Sequence, residues 1–231
     1  SGTDQIRLPL VSGTTYNFNV SWGDGTSETI TSSNPPTHTY PARGDYDVTI
    51  TGSIPAFQFA NGGDKLKLVD IARWGPLRLG NGGSYFQGAS NLQVSATDPL
   101  DLTGTTNLSS AFSGASKFNG AIGNWDVSNV TTMASMFSGA VQFNQPLNDW
   151  GTKTSNVTDM SRMFTSAVRF NQPINTWDVS KVATFYQMFN SANAFNSSVS
   201  GWVPSAATNM QQMFVNMSSF NQPIDWTQTG N

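Results

Sequence analysis

The sequence predicts a repeat solenoid, with one short strand and one short helix per coil, capped at its N-terminal end by a small antiparallel β-sandwich-like module. Three observations carry this. The pair Met/Ala-Phe recurs at Phe112, Phe137, Phe164, Phe189 and Phe214, with gaps of 25, 27, 25 and 25 residues. The pair Phe-Asn recurs with the same gaps at Phe118, Phe143, Phe170, Phe195 and Phe220. A tryptophan follows each pair, at Trp125, Trp150, Trp177, Trp202 and Trp226. Three columns on one period mark a repeat architecture, in which no copy can bury its apolar face alone and stacked neighbours share one core.

Residues 1–56 read as the cap, since nothing in them echoes the 25-residue period. Apolar and polar residues alternate in Ile6–Leu10, Tyr16–Val20 and Tyr46–Ile50, as half-buried strands require. Asp24-Gly25, between alternating segments, predicts a hairpin. Asn34-Pro35-Pro36 reads as a loop.

Residues 57–231 read as about six coils plus a partial C-terminal one. Weak copies come first: Phe86-Gln-Gly-Ala-Ser-Asn-Leu92 matches Phe112-Ser-Gly-Ala-Ser-Lys-Phe118, and Trp74 and Leu100 stand in the tryptophan column. Within a coil, Val130, Met133, Met136 and Phe137 fall at i, i+3, i+6 and i+7, the stripe of a short helix. Ser128 is placed to cap its start, as are Ser155, Ser180 and Ser205, and Gly114 and Gly139 to end it. Trp125-Asp126-Val127 alternates as a very short strand would, and Pro204 in the Val position predicts a weaker strand in the last full coil. Two extra residues after Trp150 account for the 27-residue gap. The invariant Asn119, Asn144, Asn171, Asn196 and Asn221 predict a buried amide ladder that satisfies turn backbone. The absence of a polar cap after Trp226 leads us to expect further protein beyond it.

Composition narrows the function. Net charge is −3, so there is no basic footprint for nucleic acid, and no apolar run is long enough for membrane insertion. Zero Cys excludes disulfides and thiolate metal sites. His38 is the only histidine and lacks the partners a triad or histidine metal cluster needs, so it is expected to pack beside a strand. Asp24, Asp45 and Asp47 are the acidic residues that could collect around Ca²⁺, although Asp24 is more simply a turn residue; no other cofactor is indicated. Asp98 and Asp101 flank a proline turn without a recognisable cleft, and Asp159 with Arg162 is expected to form a helix-surface ion pair. The sequons at Asn129 and Asn156 follow from repeat composition. No enzymatic constellation emerges.

The variable positions are where a ligand could be read. One column runs Ala134, Ser161, Tyr186, Gln211; a second runs Lys117, Gln142, Arg169, Ala194, Ser219; a third runs Asp126, Gly151, Asp178, Val203. Tyr186, Gln211, Ser161, Arg169, Asp126 and Asp178 are the candidate ligand-binding residues.

The string VSWGDGTSETIT followed by HTYPARGDYDVTITG resembles the PKD-like β-sandwich of bacterial surface proteins. The repeat, FNGAIGNWDVSNVTTMASMF with its copies, resembles the BspA-type leucine-rich repeat of such proteins. The resemblance implies an LRR-like solenoid, an extracellular, cell-surface location, and a non-catalytic role in adhesion to a surface glycan or protein ligand as part of a larger surface protein. A structural spacer that presents other domains is the alternative reading, and ice binding by a flat threonine row is a third.

Overall fold

The computed structural model describes residues 2, 4–35 and 37–226. Pro36 of the expected loop and the stretch after Trp226 lie outside the described residues.

Among the described residues the N-terminal module holds five strands: β1 (Gln5–Ile6), β2 (Asn17–Ser21), β3 (Ser27–Ile30), β4 (His38–Thr39) and β5 (Thr49–Ser53). They form an antiparallel β3-β2-β5 sheet and an antiparallel β1-β4 pair. Alternation in β2 buries Phe18 and Val20 and leaves Asn17, Asn19 and Ser21 in solvent. The predicted hairpin closes β2 onto β3. Trp22 N–H bonds to the Thr26 carbonyl, and both Gly23 and Gly25 take left-handed backbone. At Gly23 a Cβ would sit 2.7 Å from the Asp47 carbonyl oxygen, so only glycine fits.

The rest of the chain corrects the expected fold class. Among the described residues there is no α-helix, only 3-10 turns at Lys65–Lys67 and Asn148–Thr154. The strands here are equally brief: β6 (Asp70–Ile71) pairs in parallel with β7 (Gln93–Val94), and single parallel bridges link Asn107, Thr132, Asp159, Thr184 and Asn209 in succession. The LRR-like solenoid of strand-plus-helix coils is therefore overturned. The repeat copies are instead runs of tight turns laid one on the next.

The physical reason lies in the backbone of the predicted helix. An α-helix sends every N–H back four residues along its own turn. Here the N–H groups divide into two sets. Met136, Ser138 and Ala140 donate back three residues, to Met133, Ser135 and Phe137. Met133, Ser135, Phe137 and Gly139 donate forward into the next copy, to Asp159, Ser161, Met163 and Thr165. Ser135 at φ 56° and Gly139 at φ 70° are left-handed, which no α-helix tolerates in sequence. The apolar spacing is met by successive turns, each pointing one side chain inward. Val127, Val130, Met133, Met136, Ala140 and Phe143 are all fully buried.

No strand forms at Trp125–Val127, which lies between two turns closed by Trp125 N–H to the Ile122 carbonyl and Val130 N–H to the Val127 carbonyl. Pro204 disturbs nothing there: its carbonyl accepts from Ala207, as the carbonyl of Val127 does from Val130. The extra residues after Trp150 are absorbed by the kinked 3-10 segment, where Gly151 has φ 31°. Buried Thr154 ties that segment down by sharing its hydroxyl between the Gly151 and Asp178 carbonyls, each at 2.9 Å.

Stacking the copies aligns their aromatic rings. One phenylalanine column runs from Phe86 through Phe112, Phe137, Phe164 and Phe189 to Phe214, with centroids 5.4–6.0 Å apart. The second runs from Phe118 to Phe220 at 5.5–6.0 Å. Within each copy the two rings pack near-parallel, as Phe137 and Phe143 do at 4.1 Å. The indoles of Trp150, Trp177, Trp202 and Trp226 each donate to a carbonyl of the preceding copy: Ile122, Leu147, Ile174 and Val199. Among the described residues, buried Trp74 and Trp125 lack such an acceptor, and their two rings pack edge to face at 5.4 Å.

The module and the stack are joined through residues 54–60. Ile54 bridges Leu77, Leu10 bridges Phe57, and the Tyr16 hydroxyl donates to the Ala56 carbonyl. Phe59 and Ala60 donate to the carbonyls of Tyr85 and Ser84 in the first stacked layer.

Candidate functional site

The forward hydrogen bonds place two columns side by side on the surface. Arg162 N–H bonds to the Tyr186 carbonyl, and Gln187 N–H to the Gln211 carbonyl, so Ser161–Tyr186–Gln211 runs beside Arg162–Gln187–Gln212. Arg162, Gln187 and Gln212 all take left-handed backbone, at φ 55–57°. There the Arg162 guanidinium lies 5.0 Å from the centroid of the half-buried Tyr186 ring. The Arg162 Nε donates to Gln187 Oε1 at 3.0 Å, and Gln187 Nε2 donates to Gln212 Oε1. The result is one aromatic ring braced by a guanidinium beside a row of primary amides. Its groups donate and accept hydrogen bonds.

Of the six candidate residues, the structure brings together Tyr186, Gln211 and Ser161. Arg169 belongs to another column, where its guanidinium donates to Gln142. Asp126 and Asp178 are committed to turns. Asp126 Oδ1 accepts the hydroxyl of Ser128 at 2.6 Å, and Asp178 Oδ1 accepts the N–H of Ser180 at 3.0 Å. Bonds from Ser128 and Ser180 hold both carboxyls below the usual carboxylate range. Ser128 and Ser180 are thus bonded to an aspartate two residues earlier and cap no helix. Arg162, Gln187 and Gln212 were missed because the expected helix hid their adjacency to the variable column. The amides of Gln187 and Gln212 at one repeat position were the available signal.

Other expected groups are also engaged internally. Asp159 accepts the Ser161 N–H at 2.8 Å, while Arg162 turns to Gln187 and Tyr186, so the expected Asp159–Arg162 pair is replaced. Asp98 accepts the N–H groups of Trp74 and Gly75, and Asp101 pairs with Arg78 at 2.7 Å. The asparagine column is a ladder: Oδ1 of Asn119, Asn144, Asn171 and Asn196 accepts the N–H of the next asparagine at 2.8–3.0 Å. Its expected burial is corrected, since Asn171 is exposed: the amide needs only its oxygen turned along the stack. The exposed threonine column, Thr106, Thr131, Thr158 and Thr208, breaks at Ala183, and its last three hydroxyls donate to carbonyls of the preceding copy.

In the N-terminal module, Asp24 Oδ2 lies 2.9 Å from Nε2 of His38, whose ring stacks on Trp22 at 4.6 Å. Bonds from the Thr26 hydroxyl and N–H, then from His38, lower the Asp24 carboxyl to about 2. Asp24, Asp45 and Asp47 do not gather: among the described residues no cluster of three or more acidic or histidine side chains could hold a metal ion.

Two family models match the chain. A PKD domain matches residues 5–56. The family described as "Mycoplasma protein of unknown function, DUF285" matches residues 81–154 and 151–231. No curated protein and no solved structure matches, and nothing in the comparisons supports the leucine-rich-repeat resemblance. With well over half its length matched, the chain belongs to the DUF285 family and carries a PKD domain at its N-terminal end.

Proposed function

We propose that this chain is a non-catalytic, extracellular binding module of a bacterial surface protein, and that it recognises a glycan through the Tyr186 patch. The observation that carries the reading is the braced tyrosine within a row of amides. Sugar hydroxyls pair with amide donors and acceptors, and an aromatic ring offers an apolar face beside them. PKD domains and this repeat family are typical of extracellular or surface proteins, which supports the location. Among the described residues no helix is long and apolar enough to cross a membrane.

A glycan array probed with the parent and with Tyr186→Ala tests this. The parent is expected to bind a restricted set of glycans, and Tyr186→Ala to lose about tenfold or more, the equivalent of roughly 1.4 kcal/mol. Equal binding by both chains contradicts the site. Absence of any glycan or protein ligand favours the spacer, a reading supported by how many surface groups, Asp126, Asp178 and the asparagines among them, are spent within the stack.

A further inference from the structure

The Tyr186 patch carries a charge that the stack does not neutralise. Arg162 is exposed, and among the described residues it stands in no ion pair. Asp159, three residues earlier, turns its Oδ1 to the Ser161 N–H. The guanidinium is held in place all the same. Its Nε donates to Gln187 Oε1 at 3.0 Å, and its central carbon lies 5.0 Å from the centroid of the Tyr186 ring. The bond to Gln187 uses Nε alone, and among the described residues no acceptor meets Nη1 or Nη2. The residues before it along the two columns are small: Ser110 and Ser135 in its own, Ala134 and Ser161 in that of the tyrosine. Those after it, Gln187, Gln211 and Gln212, are polar and uncharged. Arg162 is therefore the one charged residue of the two columns, with its outer edge open.

That edge selects a ligand by charge and shape. The two Nη groups of a guanidinium present parallel N–H donors, which match the two oxygens of a carboxylate. An exposed ion pair gains little when both side chains must first be fixed. Here Gln187 and Tyr186 have already fixed the arginine, so less freedom is lost on binding. Resting on the glycan reading above, we propose that the ligand is an acidic glycan containing a uronic acid. Its ring carboxylate pairs with the Nη edge of Arg162, and its hydroxyls meet the amides of Gln187 and Gln211. The chain as a whole carries a net charge of −3, so its overall field does not favour an anion. A preference for the acidic form must then arise locally, at Arg162.

The test measures the affinity of the whole chain for oligosaccharides of galacturonic, mannuronic and glucuronic acid. Each is compared with its counterpart in which the carboxylates have been reduced to hydroxymethyl groups. The parent is expected to bind at least one acidic form about tenfold or more tighter than its reduced counterpart, with the difference shrinking as salt rises. Arg162→Gln should bring that ratio near one. Glutamine fits this backbone, since Gln187 and Gln212 already hold it at φ 55° and 57°. Arg162→Lys keeps the charge without the fork and should retain only part of the ratio. Equal affinity of the parent for the two forms overturns the proposal and leaves the glycan reading standing, whereas binding of neither form overturns both. An unchanged ratio in Arg162→Gln also overturns it, as does tighter binding of a sulfated oligosaccharide that lacks carboxylates.

Discussion

The N-terminal module and the repeat stack both pair the backbone of short irregular segments, but over different distances. In the module, β2 and β3 are neighbours in sequence: Ser21 pairs with Ser27 across one hairpin. In the stack, Phe137 bonds to Met163 and Phe164 to Met188, always one copy away. The module's core is closed by polar handles, with Trp22 donating to Glu28 and His38 set against Asp24. The stack's core is mostly apolar, and its buried polar bonds include those of the tryptophan indoles and of Thr154 to backbone carbonyls. The module therefore depends on a few unique contacts, one of which titrates. The stack depends on a unit so repeated that damage to one layer is felt by the layers on both sides.

The largest test of this contrast is Phe164→Ala. The ring is fully buried and stacks on Phe137, Phe170 and Phe189, so its removal opens a cavity across three layers. A loss of about 3–5 kcal/mol is expected in urea melts, with the β module's tryptophan signal persisting beyond the stack's transition if the two regions are separable. Asn171→Leu comes next. It strands the Asn196 N–H and removes an acceptor for the Ser197 hydroxyl. Because Asn171 itself is exposed, the expected cost is about 1 kcal/mol, near the low end for an unpaired group. Tyr186→Ala removes the ring under Arg162 and should cost about 0.5–1 kcal/mol in the same melts.

The smallest effect is specific to the module. The Asp24 carboxyl is lowered to about 2 by Thr26 and His38, from an ordinary value of 3.8. A carboxyl lowered in the folded state contributes stability that is complete above the unfolded value and is lost as pH falls through the folded one. Stability should therefore decline between about pH 4 and pH 2 in the parent, and Asp24→Asn should flatten this decline. An identical decline in Asp24→Asn, followed by Trp22 fluorescence, would remove Asp24 from the account.

Much of this was legible in the sequence. The period, the copy boundaries, the inward columns and the hairpin at Asp24-Gly25 are all written in residue types, because burial and positive φ select them strongly. The path of the backbone between inward residues was not. Val130, Met133, Met136 and Phe137 satisfy a helix and a chain of three-residue turns equally well, and side-chain spacing cannot distinguish where the N–H groups point. The deciding residues, Ser135 and its counterparts Arg162 and Gln187, are left-handed without being glycine, and each donates its N–H forward to a carbonyl 24 to 26 residues away; Gln212 takes the same backbone. The candidate site was half legible for the same reason. Tyr186, Gln211 and Ser161 could be found from variation along a column, but Arg162, Gln187 and Gln212 join them only when the helix is replaced by turns.

The repeat's N–H groups alternate between their own turn and the next copy. Scalar couplings measured by NMR across hydrogen bonds report it directly, since each links a particular amide nitrogen to a particular carbonyl carbon. Correlations are expected from Phe137 to Met163, Ser135 to Ser161 and Gly139 to Thr165, beside turn correlations from Met136 to Met133. Correlations from Phe137 to Met133 and from Val141 to Phe137, each four residues back, would restore the helix and contradict it.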